Sequence, residues 1–98
     1  MSLHRRNPRR DRNEKAIVGT LEQCGCVVYR ISATGVPDLL CGYRGAWFLV
    51  EVKYGRGSLE PQQAIFHSTA RALNLPCFEV RTIEAAAALV KLRGAVRP

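Results

Sequence analysis

The chain has 98 residues, of which 47% are hydrophobic and 23% charged, so it is long enough for one compact globular domain but not for two. No apolar run approaches the ~20 residues that span a bilayer, and the arginine-rich beginning lacks the apolar segment of a secretory signal. The formal net charge of +7 favours an anionic partner, nucleic acid before an acidic membrane surface. These features predict a cytoplasmic protein, in a bacterial cell or a phage-infected host, without a membrane partner.

The first segment, residues 1–11, is a basic leader that precedes any apolar pattern. We predict that it is flexible in the free protein, although a basic arm of this kind can become ordered on DNA. The domain itself is predicted over residues 12–93, followed by a short tail at 94–98. Three arginines around the start of the domain are candidate contacts to DNA phosphates: Arg9, Arg10 and Arg12.

A first helix is predicted to begin near residues 11–13, because Asp11 and Asn13 are good N-caps and apolar residues then recur at helical spacing up to Cys24. Gly25 is a natural C-terminal stop for this helix. Runs of β-branched and aromatic residues predict strands, and the segments with glycine or proline between them predict turns. The remaining elements are predicted as strands at 26–31, 38–42, 47–53 and 77–81 and helices at 61–74 and 83–93.

The connections predict how these strands pair. The turn at 43–45 is short enough for a hairpin, so the second and third strands should be antiparallel neighbours. The helix after the third strand permits a crossover to a parallel fourth strand. The expected fold class is therefore α/β, with a mixed sheet that is flanked by helices.

The third strand carries the most informative pattern, because side chains on a strand alternate between its two faces. Positions 48, 50 and 52 are all apolar, whereas the other face includes Glu51 and Lys53 at the end of a strand whose composition predicts burial. Charged residues are rarely buried unless they are paired or bind a metal ion. The aromatic residues Tyr29 and Trp47 are predicted to belong to the core rather than to stack on bases.

Asp38 is the second anchor of a predicted site. Pro37 favours extended geometry in the residue before it, and Gly35 allows a tight approach of the backbone. Asp38 lies six residues before Arg44 at the centre of the turn, and Glu51 lies seven residues after it. If the two strands pair through this turn, the two carboxylates lie side by side, within one residue of register.

Two carboxylates at the end of a sheet are a natural site for Mg²⁺ or Mn²⁺, which prefer hard oxygen ligands. Lys53 beside them would orient a metal-bound water or stabilise charge on a phosphate. The alternative is an ordinary surface ion pair between Glu51 and Lys53, with Asp38 as a turn residue.

Three segments in this order resemble the PD-(D/E)XK nuclease superfamily and, within it, the stand-alone VRR-NUC (virus-type replication-repair nuclease) family. The resemblance covers residues 12–92 and implies a restriction-endonuclease-like αβββαβ(α) core, which is the order of elements predicted above. The segments that carry it are Gly35-Val36-Pro37-Asp38, Glu51-Val52-Lys53 and Leu59-Glu60-Pro61-Gln62-Gln63.

The resemblance also implies roles for the residues that match. Asp38 and Glu51 would bind the metal ion together with the backbone carbonyl of Val52, and Lys53 would be the catalytic lysine.

Two further residues are implied on the flanking helices. Gln63 would support the site from the helix after the core, with the adjacent Gln62 as the alternative. Glu14 would match a glutamate of the first helix, as a catalytic residue and metal ligand. Its spacing to Ile17 and Val18 independently places it on their face of the helix, although the helix dipole favours an acidic residue in a first turn in any case.

Other residues carry weaker signals. Tyr54, Arg56 and Ser58 follow the third strand in a glycine-bearing loop, where they would contact DNA phosphates or simply be exposed. His67 falls four residues after Gln63 and is predicted to be solvated or packed rather than to contact substrate. The four cysteines are predicted to be small, reduced, mostly buried residues rather than zinc ligands.

The predicted activity is metal-dependent hydrolysis of phosphodiester bonds in DNA. The family resemblance implies a Holliday-junction resolvase-like enzyme that acts on branched DNA as a homodimer, since two symmetric cuts need a two-fold pair of sites. The closing helix and the edge of the first strand are the two alternatives for its interface. A flap or nicking nuclease of the same fold, and a non-catalytic basic DNA-binding module, remain the alternative functions. A membrane-surface or RNA-binding basic protein fits the apolar, β-rich middle of the chain poorly.

Overall fold

The structure of the protein is a computed structural model, which describes residues 8–95. Its elements follow the predicted order of one helix, three strands, a helix, a strand and a closing helix. In chain order they are α1 (Pro8–Gln23), β1 (Val27–Arg30), β2 (Leu39–Tyr43), β3 (Ala46–Val52), α2 (Pro61–Ala72), β4 (Cys77–Val80) and α3 (Ile83–Ala95).

The first helix begins earlier than its capping residues predicted. It starts at Pro8, so residues 8–11, which we assigned to a flexible leader, form its first turn. Proline suits the first turn of a helix, and the arginines that follow are good helix formers, so nothing in this stretch delays the start until Asp11. The rest of the predicted leader, residues 1–7, lies outside the described residues. At the other end of the chain, α3 extends through Ala95 into the predicted tail.

The four strands form one sheet in the order β1-β2-β3-β4. The pairs β1–β2 and β2–β3 are antiparallel, and β3–β4 is parallel, so the predicted mixed sheet is confirmed. Leu39 lies opposite Val50, and this register fixes which residues meet at the end of the hairpin. Because β3 has a neighbour on both sides, charged residues at its end are held by backbone pairing from two directions.

One face of the sheet is covered by the core. Phe48, Val50 and Val52 of β3 are at most 1% exposed, as their apolar spacing predicted. The helices α1 and α3 supply the other side of this core and contact each other across it. Their buried residues are Ile17, Val18 and Leu21 of α1 and Ala86 and Val90 of α3.

The opposite face of the sheet is only partly covered. The helix α2 contacts β4, whereas the β1 side of this face is exposed among the described residues 8–95, with Val27 at 44%. Tyr29 and Trp47 are each 55% exposed, so the prediction that they belong to the core is wrong. Their rings lie against each other, with centroids 6.4 Å apart. Strand alternation assigned these residues to a face, but it does not determine whether a helix covers that part of the face.

Candidate active site

Asp38 reaches the end of β3 by two hydrogen bonds. Its carbonyl oxygen accepts from Ile31 N at 2.7 Å, which extends the β1–β2 pairing by one step. Its side-chain Oδ2 accepts from the backbone N of Val52 at 2.8 Å. Since Leu39 pairs with Val50, the same register places Asp38 opposite Glu51. The structure therefore brings together the two carboxylates that the hairpin spacing predicted.

The loop before Asp38 is held close to α2. Gly35 has a φ of +78°, a conformation that favours glycine, and Pro37 is buried. A Cβ at Gly35 would lie 3.1 Å from both Cβ and Oε1 of Gln62. A larger residue would push this loop away from α2, so Gly35 helps to fix the position of Asp38 relative to the helix.

Glu51 and Lys53 are both buried at the end of β3. Glu51 is 0% exposed and Lys53 is 7% exposed. The alternative of a solvated surface ion pair is thus wrong for these two side chains. Burial of charge without compensation costs several kcal/mol per ion in order of magnitude, so both groups require polar neighbours.

Gln63 provides the connection between these two charges. Its Oε1 accepts from Lys53 Nζ at 2.7 Å, and its Nε2 donates to Glu51 Oε2 at 3.1 Å. The same Oε1 accepts from the backbone N of Glu60 at 3.0 Å, as part of a capping box that starts α2. One side chain therefore begins the helix and ties it to the site. Gln63 makes these contacts, and Gln62 instead lies against Gly35.

Asn13 of α1 forms hydrogen bonds to the backbone at the candidate site, whereas the sequence suggested it only as a helix cap. Its Nδ2 donates to the backbone oxygens of Lys53 at 3.0 Å and Arg81 at 3.2 Å. These two residues directly follow β3 and β4, so Asn13 joins α1 to the ends of both parallel strands. An asparagine directly before Glu14, on a helix that must reach the sheet end, was the available signal.

Glu14 lies at the edge of the site, where its Oε2 is 4.0 Å from Arg30 Nε. Its side chain is 28% exposed. Among residues 8–95, no group of three or more His, Cys, Asp and Glu side chains is arranged to hold a metal ion, so Glu14 does not join Asp38 and Glu51 in such a group. Its role as a metal ligand stays a prediction.

A cleft opens beside Asp38. It has a volume of about 410 Å³ and is lined by Asp38, Glu60, Gln63 and the loop over residues 31–36. The predicted donor set comprises Asp38 in this lining and, at the end of β3, the buried carboxylate of Glu51 and the backbone carbonyl of Val52. These are hard oxygen ligands, and Mg²⁺ commonly uses one or two carboxylates with water and phosphate in its other positions. The residues present therefore fit Mg²⁺ or Mn²⁺.

The predicted DNA contacts surround this end of the molecule. Tyr54, Arg56 and Ser58 are exposed in the loop after β3. That loop is anchored by Arg81, whose Nη1 donates to the carbonyl of Gly55 at 2.8 Å. Three further predicted contacts lie on α1 before Asn13: Arg9 and Arg12, which are exposed, and Arg10, whose side chain lies outside the described part of the structure.

The chain is similar to a solved structure described as a VRR_NUC domain, with a TM-score of 0.75 and 27% sequence identity. The match covers 87% of this chain and 97% of the other. The chain has the fold of a VRR-NUC domain. The predicted resemblance and the restriction-endonuclease-like fold class are thereby confirmed. No protein-family model and no curated protein matches the chain.

The VRR-NUC similarity supports a nuclease of the PD-(D/E)XK type, a class that generally uses divalent metal ions. The motif residues of this chain occupy one end of the sheet, as the geometry above describes. None of the helices within residues 8–95 is both long and apolar enough to cross a membrane.

Proposed function

We propose that this protein is a divalent-metal-dependent endonuclease that hydrolyses phosphodiester bonds in DNA. The observation that carries the proposal is the convergence of Asp38, Glu51 and Lys53 at one sheet end, beside an open cleft. A VRR-NUC fold alone would also suit a non-catalytic DNA-binding module. Such a module has no requirement for a lysine and a glutamate that are both buried and joined through one glutamine.

Asp38, Glu51 and the carbonyl of Val52 would hold Mg²⁺ or Mn²⁺, with Glu14 as a further candidate ligand. When bound, the metal would polarise the scissile phosphate and lower the pKa of a coordinated water. Lys53 then has a defined task, because Gln63 fixes its ammonium beside Glu51 at the end of the strand. A fixed positive charge at this position stabilises the negative charge that develops on the phosphate.

Basic residues around the cleft would hold the DNA backbone. Arg56, Ser58 and Tyr54 lie on the exposed loop that follows the catalytic strand. Three arginines of α1 precede Asn13, which touches the carbonyl of Lys53: Arg9, Arg10 and Arg12. Arginine and serine commonly contact phosphates, and such contacts position the duplex without reading its sequence.

The substrate that best suits a small enzyme with one such site is branched DNA cut by a pair of sites. A four-way junction needs two symmetric cuts, which a homodimer provides. The open sheet face offers exposed apolar residues for a second copy, because Val27, Tyr29 and Trp47 are 44%, 55% and 55% exposed. Val27 and Tyr29 belong to β1, an edge strand of the sheet and one of the two predicted interfaces.

The first test is cleavage of labelled four-way junctions, flaps and plain duplex with Mg²⁺, Mn²⁺ or EDTA. We expect paired cuts in the junction that require metal and that disappear in Asp38→Ala and Lys53→Ala, while both variants still bind DNA. Cutting of flaps or duplex in preference to junctions would support the nuclease activity but contradict the four-way junction as its preferred substrate. Binding without cleavage under any metal would contradict the nuclease and favour the non-catalytic module.

The dimer has its own test, which also separates the two interfaces. Sedimentation equilibrium of the wild type should show a dimer that dissociates in Trp47→Arg. Leu92, which is 64% exposed on α3, provides the matched variant Leu92→Arg. Dissociation by Leu92→Arg alone would move the interface to the closing helix, and a monomeric wild type would contradict the dimer.

A further inference from the structure

A second polar pocket lies at the free edge of β4, away from the cleft that faces Asp38. It has a volume of about 470 Å³ and is lined by residues from three elements and the turn between two of them. We call it the distal pocket. Its lining residues are His67, Arg71, Asn74, Leu75, Pro76, Cys77, Phe78 and Arg93.

The charge of the distal pocket is positive. Arg71 and Arg93 both line it, and none of its lining residues is acidic. Within residues 8–95, neither arginine forms a salt bridge. Two carboxylates outside the lining act on the pocket electrostatically, Glu79 on His67 and Glu51 on Cys77. Glu79 is paired with Arg81, and Glu51 accepts a hydrogen bond from Gln63. Two arginines that face a common pocket without a carboxylate between them are suited to an anion.

Arg93 is held in place by aromatic rings rather than by a carboxylate. Its guanidinium carbon lies 5.2 Å from the centroid of Phe48 and 5.6 Å from that of Phe78. These cation–π contacts restrict the side chain while leaving its donors available to a ligand. His67 is also fixed, because its ring lies against Cys77, with Nδ1 3.6 Å from Sγ. The pocket is thus organised before any ligand binds.

The helix α2 connects this pocket to the candidate active site. Gln63, His67 and Arg71 are spaced by four residues, so they lie on the same side of the helix at intervals of roughly 6 Å along its axis. Gln63 contacts both Lys53 and Glu51, and Arg71 lines the distal pocket. Arg71 therefore lies about 12 Å along α2 from Gln63, with His67 about halfway between them. A DNA strand held at the candidate active site can thus reach the pocket through a phosphate other than the scissile one.

We propose that the distal pocket binds a backbone phosphate of DNA other than the scissile phosphate, on the strand that crosses the active site. Arg71 and Arg93 supply the positive charge, and His67 donates a hydrogen bond as a neutral imidazole. This site rests on the proposed nuclease function for its position relative to the cut, but its binding of DNA is independent of cleavage. It would fix the direction in which a strand crosses the active site.

The test measures DNA binding in EDTA, where no cleavage occurs, over a series of salt concentrations. Arg71→Gln and Arg93→Gln should each weaken binding about tenfold and reduce the slope of log K against log salt by about 1. Lys91→Gln is the matched control, because Lys91 is an exposed cation on α3 two residues before Arg93 that does not line the pocket. Lys91→Gln should change both the DNA affinity and the salt slope less than the two pocket variants do.

Position is tested by replacing single phosphates with neutral methylphosphonates, counted from the wild-type cut site. Substitution at one position other than the cut site should weaken DNA binding by the wild type and have no further effect on binding by Arg71→Gln. Arg71 is exposed, so this variant should keep its fold even if Arg93→Gln loses stability through the aromatic contacts. Equal salt slopes for the two pocket variants and Lys91→Gln would overturn the proposal. Failure of the nuclease function would instead appear as absent cleavage, with these binding differences intact.

Discussion

The two ends of one face of β3 have opposite environments. Trp47, near the beginning of the strand, is 55% exposed, whereas Glu51, on the same face, is 0% exposed. Hydrophobicity alone would reverse this arrangement, since tryptophan is highly buried on average and glutamate is almost never fully buried unless paired. The chain therefore buries its charges at one end of the strand and exposes an aromatic ring at the other.

The difference arises from what covers each end. At the Glu51 end, Gln63 from α2 and Asp38, directly before β2, enclose the charges. At the Trp47 end, the neighbour across the β2–β3 pairing is Gly42, where a Cβ would lie only 3.0 Å from the indole and 2.9 Å from Val27 Cγ1. Local conflict between residue type and environment is typical of functional sites. In this protein one end of the strand face holds buried, hydrogen-bonded charges, and the other exposes an aromatic ring.

The largest expected effect is a difference in the free energy of unfolding between substitutions at Trp47 and at its neighbour Phe48. Phe48 is 1% exposed and lies on the opposite face of β3. Phe48→Ala should lower the free energy of unfolding by about 3–5 kcal/mol, because it leaves a cavity in the core. Trp47→Ala should cost much less in dilute protein, where no second copy covers the ring. Urea denaturation monitored by circular dichroism measures both.

Protein concentration is the control for this pair. If a second copy covers Trp47, Trp47→Ala should lower the free energy of unfolding more at protein concentrations where the wild type dimerises. The effect of Phe48→Ala should not depend on concentration in this way. Equal losses in the free energy of unfolding at the lowest concentration would show that the exposed and buried faces of β3 contribute alike, contrary to this prediction.

The next effect concerns the link between the buried charges. Gln63→Ala removes the hydrogen bonds to Lys53 Nζ and Glu51 Oε2, so the lysine loses its fixed position. Removing groups that orient metal ligands typically costs 10–100-fold, and we expect cleavage to fall by about that factor. Gln62→Ala is the matched control, since Gln62 is exposed and lies against Gly35 instead. A larger loss for Gln62→Ala would transfer the supporting role to it.

Much of the fold was predictable because its signals are local. Strand alternation separated Glu51 and Lys53 from the apolar face, and the short turn fixed the antiparallel register that places Asp38 opposite Glu51. Turn length and side-chain period act over neighbouring residues, so a single sequence displays them. The choice between Gln62 and Gln63 required the helix orientation, which the capping box at Glu60 determines.

The features that sequence analysis missed depend on contacts between distant elements. Asn13 touches the carbonyls of Lys53 and Arg81, 40 and 68 residues away, and no periodicity reports such a contact. Exposure of Trp47 depends on how far α2 extends across the sheet, which its own sequence does not show. Pro8 was the local signal that could have moved the start of α1.

A smaller effect concerns the hydrogen bonds that Asn13 makes to the backbone directly after β3 and β4. Asn13→Ala removes two hydrogen bonds to part-buried carbonyls, at a cost of about 1–3 kcal/mol in the free energy of unfolding. Asn13→Asp keeps the size but has no donor at neutral pH, so it should not restore stability. Lys15→Ala, at an exposed position of α1, is the control and should stay within about 0.5 kcal/mol of the wild type. Thermal unfolding of the three variants measures these differences in stability. Equal stability of Asn13→Asp and the wild type would contradict the role of the two Asn13 hydrogen bonds.

The smallest expected effect concerns His67, whose ring lies against Cys77 at the start of β4. Burial lowers the pKa of His67 from its usual 6.5, Arg71 and Lys53 lower it further, and Glu79 acts in the opposite direction. A histidine whose folded pKa is depressed stabilises the fold fully above pH 6.5, and this contribution is lost as pH falls through the folded value. Wild type should therefore lose stability relative to His67→Gln below pH 6.5, and the two should run parallel above it. An NMR titration of the ring protons should give a midpoint below 6.5. A midpoint above 6.5 would mean that the charge of Glu79 outweighs burial at His67, which would contradict this prediction.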